Sequence, residues 1–383
     1  MLVTDDDTLS NICSERYCKL PRIIEQARVG VVGTSWWAEL MYLPILKRHP
    51  RAELVAVCGR RREHVDQIAR KYGIPNAFTN YREMIEQADL HALVVSTPDD
   101  LHYPITLEAL DAGLHVLCEK PLALDVAQAS AMYEKAEAAG VMHMVLFTYR
   151  WLPVYRHVRQ LVDEGYLGRP FHCSIRYVCG FGRDPQDRWR LDPQRARGVL
   201  GDIGSHMIDL ARWYFGDVAG VSAHLTTFVG RVDPHGQHVA TANDSAALTL
   251  LFQNGAQATI QLSSVMHVGV RGQEQQVILS GEAGTLEIHQ TFGGAEIYGA
   301  QSNEQQFTRL FSLDYRSTTA DPDEHEMTAM LAPFQDQSIG PRLFIDAIVE
   351  NRAVSPSFYE GLKAQEVIDA AFESHRRGCW VTL

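Results

Sequence analysis

From Arg28 onward, short and wholly apolar runs alternate with amphipathic stretches, and no other feature restricts the fold of this chain as strongly. RVGVVG (28–33) is followed by a helical stretch to Leu46, and AELVAVCG (52–59) by REHVDQIARKYG. HALVVSTP (91–98) leads into a helix over 100–113, GLHVLCEKP (113–121) into a helix ended by Gly140, and MHMVLFTYR (142–150) closes the series. A strand that is apolar on both faces must be covered on both. Helices inserted between successive strands supply that cover, so the pattern predicts an α/β unit with a doubly wound parallel sheet. Such a sheet binds ligands at the carboxyl ends of its strands.

After Pro153 the rhythm changes. WLPVYRHVRQLVDEG reads as a helix, FHCSIRYVCGFG as a strand and SHMIDLARWYFG as a helix ended by Gly216. Further runs between Ser222 and Ala300 alternate apolar with polar residues, and QNGAQ and GEAGT carry turn chemistry between them. They predict an α+β domain with a large, mostly antiparallel open sheet. Residues 301–340, rich in Gln, Ser and Asp, read as a long loop or an oligomer contact, before two closing helices. The expected organisation is an extension over 1–27, a parallel-sheet domain over 28–147 and an α+β domain over 148–383.

Composition narrows the function. A net charge of −12 opposes a general nucleic-acid binder, because that affinity is mostly Lys and Arg neutralising phosphates. No apolar run is long enough for a membrane span. The seven cysteines form no C-x-x-C clip, so no metal is expected, and Cys58 and Cys118 lie in apolar runs. The first twenty residues carry acidic groups where a secretion signal needs basic ones. Reduced thiols in a cytoplasmic protein are the simplest reading.

Gly33-Thr34-Ser35-Trp36-Trp37-Ala38 aligns with the G-x-G-x-x-A turn of dinucleotide-binding sheets, with Ser35 at the middle glycine. A plain strand–helix turn fits the same residues. The second strand ends Cys58-Gly59-Arg60-Arg61-Arg62, without the acid that holds an NAD ribose, so Arg60 favours NADP over NAD. Asp202 and His206 are spaced i and i+4. A carboxylate beside an imidazole suits acid–base work, although such pairs are often structural. The five arginines and three aspartates of 183–197 read as a loop with internal ion pairs or, alternatively, as a clamp for an acidic sugar.

With the glycine turn, STPDDLHYP, GLHVLCEKPLA and above all WRLDPQRARGVLGDIGSHMIDLARW, the sequence resembles the Gfo/Idh/MocA family of oxidoreductases. The resemblance runs from about Arg28 to the C-terminus. It implies an N-terminal Rossmann domain and a C-terminal open sheet used for homodimer or homotetramer contacts. The implied activity is NAD(P)-dependent interconversion of a secondary alcohol and a ketone on a sugar, sugar derivative or cyclitol. Carried over residue by residue, Lys120 would lie between nicotinamide and substrate, with Asp202 and His206 completing the catalytic set. Gly33, Ser35, Trp36, Thr97, Pro98, His102 and Glu119 would line the cofactor, and Tyr149, Arg150, Trp189 and Arg190 would face the substrate. In this reading His206 is the base, Asp202 holds its ring and raises its pKa, and Lys120 polarises the substrate oxygen. Two other activities are compatible: glycoside cleavage with an internally recycled NAD, and nucleotide sensing without catalysis.

Overall fold

The computed structural model describes residues 24–183, 188–232, 235–315 and 326–383. Most of the expected N-terminal extension, with Cys13 and Cys18, lies outside the described residues. The first sheet contains β1 (Ala27–Val32), β2 (Ala52–Cys58), β3 (Asn76–Phe78), β4 (Ala92–Val95), β5 (His115–Cys118) and β6 (His143–Val145). All neighbours are parallel, in the order β3-β2-β1-β4-β5-β6. Between them run α1 (Trp36–Met41), α2 (Leu43–Arg48), α3 (Arg62–Tyr72), α4 (Tyr81–Gln87), α5 (His102–Asp111) and α6 (Val126–Ala139). The apolar runs fill the centre, with Val29, Val31, Val94 and Leu117 fully buried. The strand order reverses between β1 and β4, which opens a crevice at their carboxyl ends.

The second half begins with α7 (Pro153–Asp163), β7 (Pro170–Cys179) and the short α8 (Arg188–Leu191). A π-helical turn, Leu200–Gly204, runs directly into α9 (Ser205–Phe215). Then follow β8 (Val218–Thr226), the hairpin β9 (Arg231–Val232) and β10 (His238–Val239), β11 (Ser245–Phe252) and β12 (Gln257–Ser263). Next come β13 (Gln273–Gly281), β14 (Gly284–Thr291), β15 (Gly294–Gln301) and β16 (Thr308–Asp314). The nine-stranded sheet has the order β16-β15-β14-β13-β7-β12-β11-β8-β17, where β17 is Val381–Thr382. Only β7 and β12 pair in parallel. Along β11, Ala246, Leu248 and Leu250 are buried while Ala247, Thr249 and Leu251 face solvent, so one face is packed and the other open.

The segment expected as a loop, 301–340, instead contains β16 and two short helices, α10 (Glu326–Leu331) and α11 (Pro333–Asp336). As an edge strand β16 is largely exposed, so it lacks the buried alternation by which a strand is recognised. The last two long helices, α12 (Pro341–Glu350) and α13 (Phe358–Arg377), return to the first sheet. α12 packs against α2, β1 and β5, and α13 against α6 and β6 as well as β8 and α9. Ser357 and Glu360 form a capping box that starts α13, and the Phe358 N–H donates to His143 Nδ1 at 3.1 Å. Cys58, Cys118, Cys173 and Cys179 are buried free thiols.

Candidate active site

Gly33 closes the switch point. Its φ is +128°, and a Cβ there would stand 2.1 Å from the Ser96 carbonyl oxygen, so only glycine lets the loops after β1 and β4 touch. Ser35 caps α1: its Oγ accepts from the Ala38 N–H at 3.3 Å, which leaves the hydroxyl hydrogen free to donate outward. Trp36 beside it is 58% exposed. A Cβ on Gly59 would meet Thr34 Oγ1 at 2.7 Å, so no acidic side chain fits at the end of β2, and the exposed Arg60 follows. Thr97 Oγ1 is buried with no hydrogen-bond partner, a donor held ready at the mouth of the crevice. These groups at the ends of β1, β2 and β4 fit a dinucleotide laid across the switch point.

Two residues expected against the cofactor also brace the loops of the sheet edge. Glu119 is buried and accepts from Trp37 Nε1, from the Tyr42 hydroxyl at 2.6 Å and from the Lys120 N–H at 3.1 Å. Burial, and then the Glu119 charge, push the Tyr42 hydroxyl well above its usual pKa. His102 is fully buried, with Nδ1 2.8 Å from the Pro121 oxygen and Nε2 3.0 Å from the Thr97 oxygen. Its ring therefore ties the loop after β5 to the loop after β4 and has no free nitrogen for a ligand.

The loop after β5 delivers Lys120 to the π-turn. Its Nζ donates to Asp202 Oδ1 at 2.5 Å and to the Asp202 carbonyl at 3.0 Å. Arg190 Nε stands 3.4 Å from Asp202 Oδ2, and its guanidinium lies 4.3 Å above the ring of Trp189. Burial alone would raise the Asp202 carboxyl. The charges of Lys120 and Arg190, the Lys120 hydrogen bond and His206 outweigh it and hold the pKa down to about 2. His206 goes the opposite way from expectation. Burial and the Lys120 charge lower its pKa well below the usual value, and the opposing pull of Asp202 is smaller. The spacing correctly brings Asp202 near His206, but the carboxylate is spent on Lys120 and does not hold the ring. His206 Nδ1 is buried with no partner, and the ring packs edge-on against Tyr149 at 4.8 Å and Phe147 at 6.0 Å.

Residues 27–147 match an oxidoreductase family with an NAD-binding Rossmann fold, and residues 155–287 match the Gfo/Idh/MocA C-terminal domain. The chain belongs to the Gfo/Idh/MocA family. It is 29% identical over 351 residues to levoglucosan dehydrogenase of Pseudarthrobacter phenanthrenivorans, covering 83% of this chain and 86% of that one. D-glucoside 3-dehydrogenase of Escherichia coli is 26% identical over 366 residues, covering 93% of this chain and 97% of that one. A solved levoglucosan dehydrogenase complex with NADH superposes with a TM-score of 0.78 at 25% identity, covering 93% of this chain and 99% of that one.

Within this family fold, two residues expected at the substrate have partners within the protein. Arg150 is buried in a two-pronged pair with Asp209, both contacts 2.7 Å. The Tyr149 hydroxyl is shared with Tyr177 at 2.9 Å and Gln273 at 3.2 Å, leaving its ring against His206. Arg190 stands beside Asp202, and its guanidinium lies over the ring of Trp189. Described arginines of the 183–197 loop bind groups outside it. Arg183 donates to the Val265 oxygen at 2.7 Å, Arg195 grips Asp100 at 3.0 and 3.1 Å, and Arg197 donates to the Leu124 oxygen. Asp184 and Asp187 lie outside the described residues. Sequence reasoning missed Asp99, which is buried beside the cluster. Its signal was the doubled acid in STPDD, directly after the two residues assigned to the cofactor.

Proposed function

We propose that this protein is a dehydrogenase that interconverts a secondary alcohol and a ketone on a sugar, sugar derivative or cyclitol, with a nicotinamide dinucleotide as redox partner. The observation that carries this reading is the cluster of Lys120, Asp202 and His206 at the carboxyl edge of the parallel sheet. Its relatives named as levoglucosan and D-glucoside dehydrogenases support the substrate class. Gly33, Ser35, Trp36, Thr97 and Pro98 would hold the nucleotide, which when bound accepts or supplies the hydride.

Lys120 has three hydrogens to donate, and Asp202 takes two of them. The third is left for the substrate oxygen, where the ammonium charge stabilises alkoxide character as the C–H bond breaks. His206, kept neutral by burial and by Lys120, retains a lone pair to take the hydroxyl proton. The ionised Asp202 thus fixes the donor rather than the base. Tyr149 and Phe147 hold the imidazole plane by edge contacts.

Arg60 supports NADP over NAD, because an arginine fork matches a 2′-phosphate and Gly59 leaves no acid to hold a ribose. The open face of the second sheet supports a homodimer or homotetramer, and the unpaired buried thiols support a cytoplasmic setting. A screen of polyols, cyclitols, aldoses and uronic acids with both nucleotides, followed at nicotinamide absorbance, tests the activity. Net turnover on a carbohydrate is expected. Arg60→Ala should weaken NADP binding by roughly 1.5–3 kcal/mol and leave NAD binding nearly unchanged. Cleavage of a glycoside without net turnover would replace this reading by one with a recycled cofactor.

A further inference from the structure

β13 places glutamine where its own alternation calls for an apolar side chain. Gln273, Gln275, Val277 and Leu279 share one face of the strand and all four are buried, Gln273 at 2% exposure and Gln275 at 0%. A buried amide is costly unless it is hydrogen-bonded, and both glutamines are met by tyrosines. Gln275 Oε1 accepts from the Tyr155 hydroxyl on α7. Gln273 Oε1 accepts from the Tyr177 hydroxyl on β7 and from the Tyr149 hydroxyl at 3.2 Å, and the two hydroxyls stand 2.9 Å apart. Tyr177 lies directly across from Gln275 in the sheet, which makes Gln273 its diagonal neighbour on the same face. On its other side Gln273 Nε2 reaches Met330 Sδ of α10 at 3.9 Å.

Tyr149 is the member of this group that meets the base. It lies in the turn Thr148–Trp151, between β6 and α7. Its ring centroid is 4.8 Å from that of His206, at an interplanar angle of 82°, whereas Phe147 stands at 6.0 Å. The next residue, Arg150, pairs with Asp209, so the same turn grips α9 twice. Tyr155 and Tyr177 stand edge-on to Tyr149 at 5.9 and 6.0 Å. A general base is ordinarily aimed by a third group hydrogen-bonded to it. His206 lacks one at Nδ1, which is buried without a partner. The angle of the imidazole therefore depends on the aromatic rings around it, and Tyr149, the nearer, is itself tethered at its hydroxyl.

We propose that Tyr177 and Gln273 are positioning residues for the reaction: by holding the Tyr149 hydroxyl they fix the Tyr149 ring, and through it the angle at which His206 meets the substrate hydroxyl. This deepens the dehydrogenase reading and rests on it. The Tyr149 hydroxyl is a tether and carries no proton of the reaction. Two strands of the second sheet, β7 and β13, thereby govern chemistry at the edge of the first. That role accounts for a polar side chain at Gln273, on a face that Val277 and Leu279 continue with apolar ones.

The test compares wild type with Tyr149→Phe, Tyr177→Phe and Gln273→Met, which keep the bulk of each side chain and remove the bonds. NMR of the full chain with isotope-labelled histidine rings identifies the His206 signals as those missing from His206→Asn. Each of the three variants should move these signals in the free protein and leave the affinity for oxidised nucleotide as it is. With the carbohydrate that the screen selects, kcat should fall on the order of 10¹–10²-fold while KM stays within about twofold. Because the groups act through one hydroxyl, Tyr149→Phe combined with Tyr177→Phe should be no slower than the slower single variant. His206 signals that stay in place overturn the proposal, even where thermal stability drops, since a merely structural group lowers stability alone. Losses that multiply in the double variant, or a loss confined to KM, overturn it as well. Tyr177→Phe gives the answer if Gln273→Met does not fold. If wild type binds neither NAD nor NADP, it is the dehydrogenase reading that falls. If nucleotide binds and the His206 signals do not move, only the roles of Tyr177 and Gln273 fall.

Discussion

Asp202 faces Lys120 with its full charge at any working pH, because two cations hold its pKa down to about 2. Asp202→Asn would keep the size of the side chain and remove that charge, leaving Lys120 free to swing. Oxidation should slow by on the order of 10²–10⁴, while nucleotide affinity, measured by fluorescence titration, should change little. His206 sets a second expectation. Its depressed pKa places its protonation step well below the ordinary histidine range, so the oxidation rate should show no His206 step near pH 6.5. A step at or above that pH, abolished by His206→Asn, would mean that Asp202 governs the ring after all. The i, i+4 spacing made the proximity of Asp202 and His206 legible in the sequence. It could not show which neighbour claims the carboxylate, because Lys120 lies 82 positions away and arrives only through the fold.

At the scale of elements, the segment around α8 acts as a strap. It carries Trp189 and Arg190 to the cluster, and Arg195 fastens it to Asp100 in the loop after β4. Arg195→Ala should loosen the strap without touching the reacting atoms. Both partners are partly exposed, so the loss should be ~1 kcal/mol, read as a several-fold rise in KM with kcat largely kept. The sequence displayed the arginines but not their partners, since pairs across distant segments leave no local spacing to read. The same reasoning explains Arg150, whose partner Asp209 lies on α9, and Glu119, whose donors lie on α1 and just beyond it. The parallel strands, by contrast, were legible from runs such as ALVV and HVLC, because burial on both faces demands unbroken apolar stretches. β16 was not, because an edge strand is under no such demand.

For the molecule as a whole, several histidines are buried in the neutral form. His115 is pushed down to about 4 by burial and by His91, and its Nδ1 accepts the Met142 N–H at 2.8 Å. Burial lowers His49, His102 and His206 as well. Between about pH 6.5 and 4 the unfolded chain therefore binds more protons than the folded one, and stability falls as pH falls through that window. For His115 alone the loss is on the order of 3 kcal/mol between pH 7 and 4. Urea midpoints should drop across this range, and His115→Asn, which can still accept from Met142, should flatten the slope. An unchanged slope in that variant would rule out His115 as a source. The return of α12 and α13 to the first sheet bears on how the protein is made. On the ribosome β1, β5 and β6 emerge long before the helices that pack on them. The nascent parallel sheet waits with an apolar flank uncovered until α12 and α13 have been made, and a message truncated before Pro341 would yield a polypeptide whose parallel sheet is never enclosed.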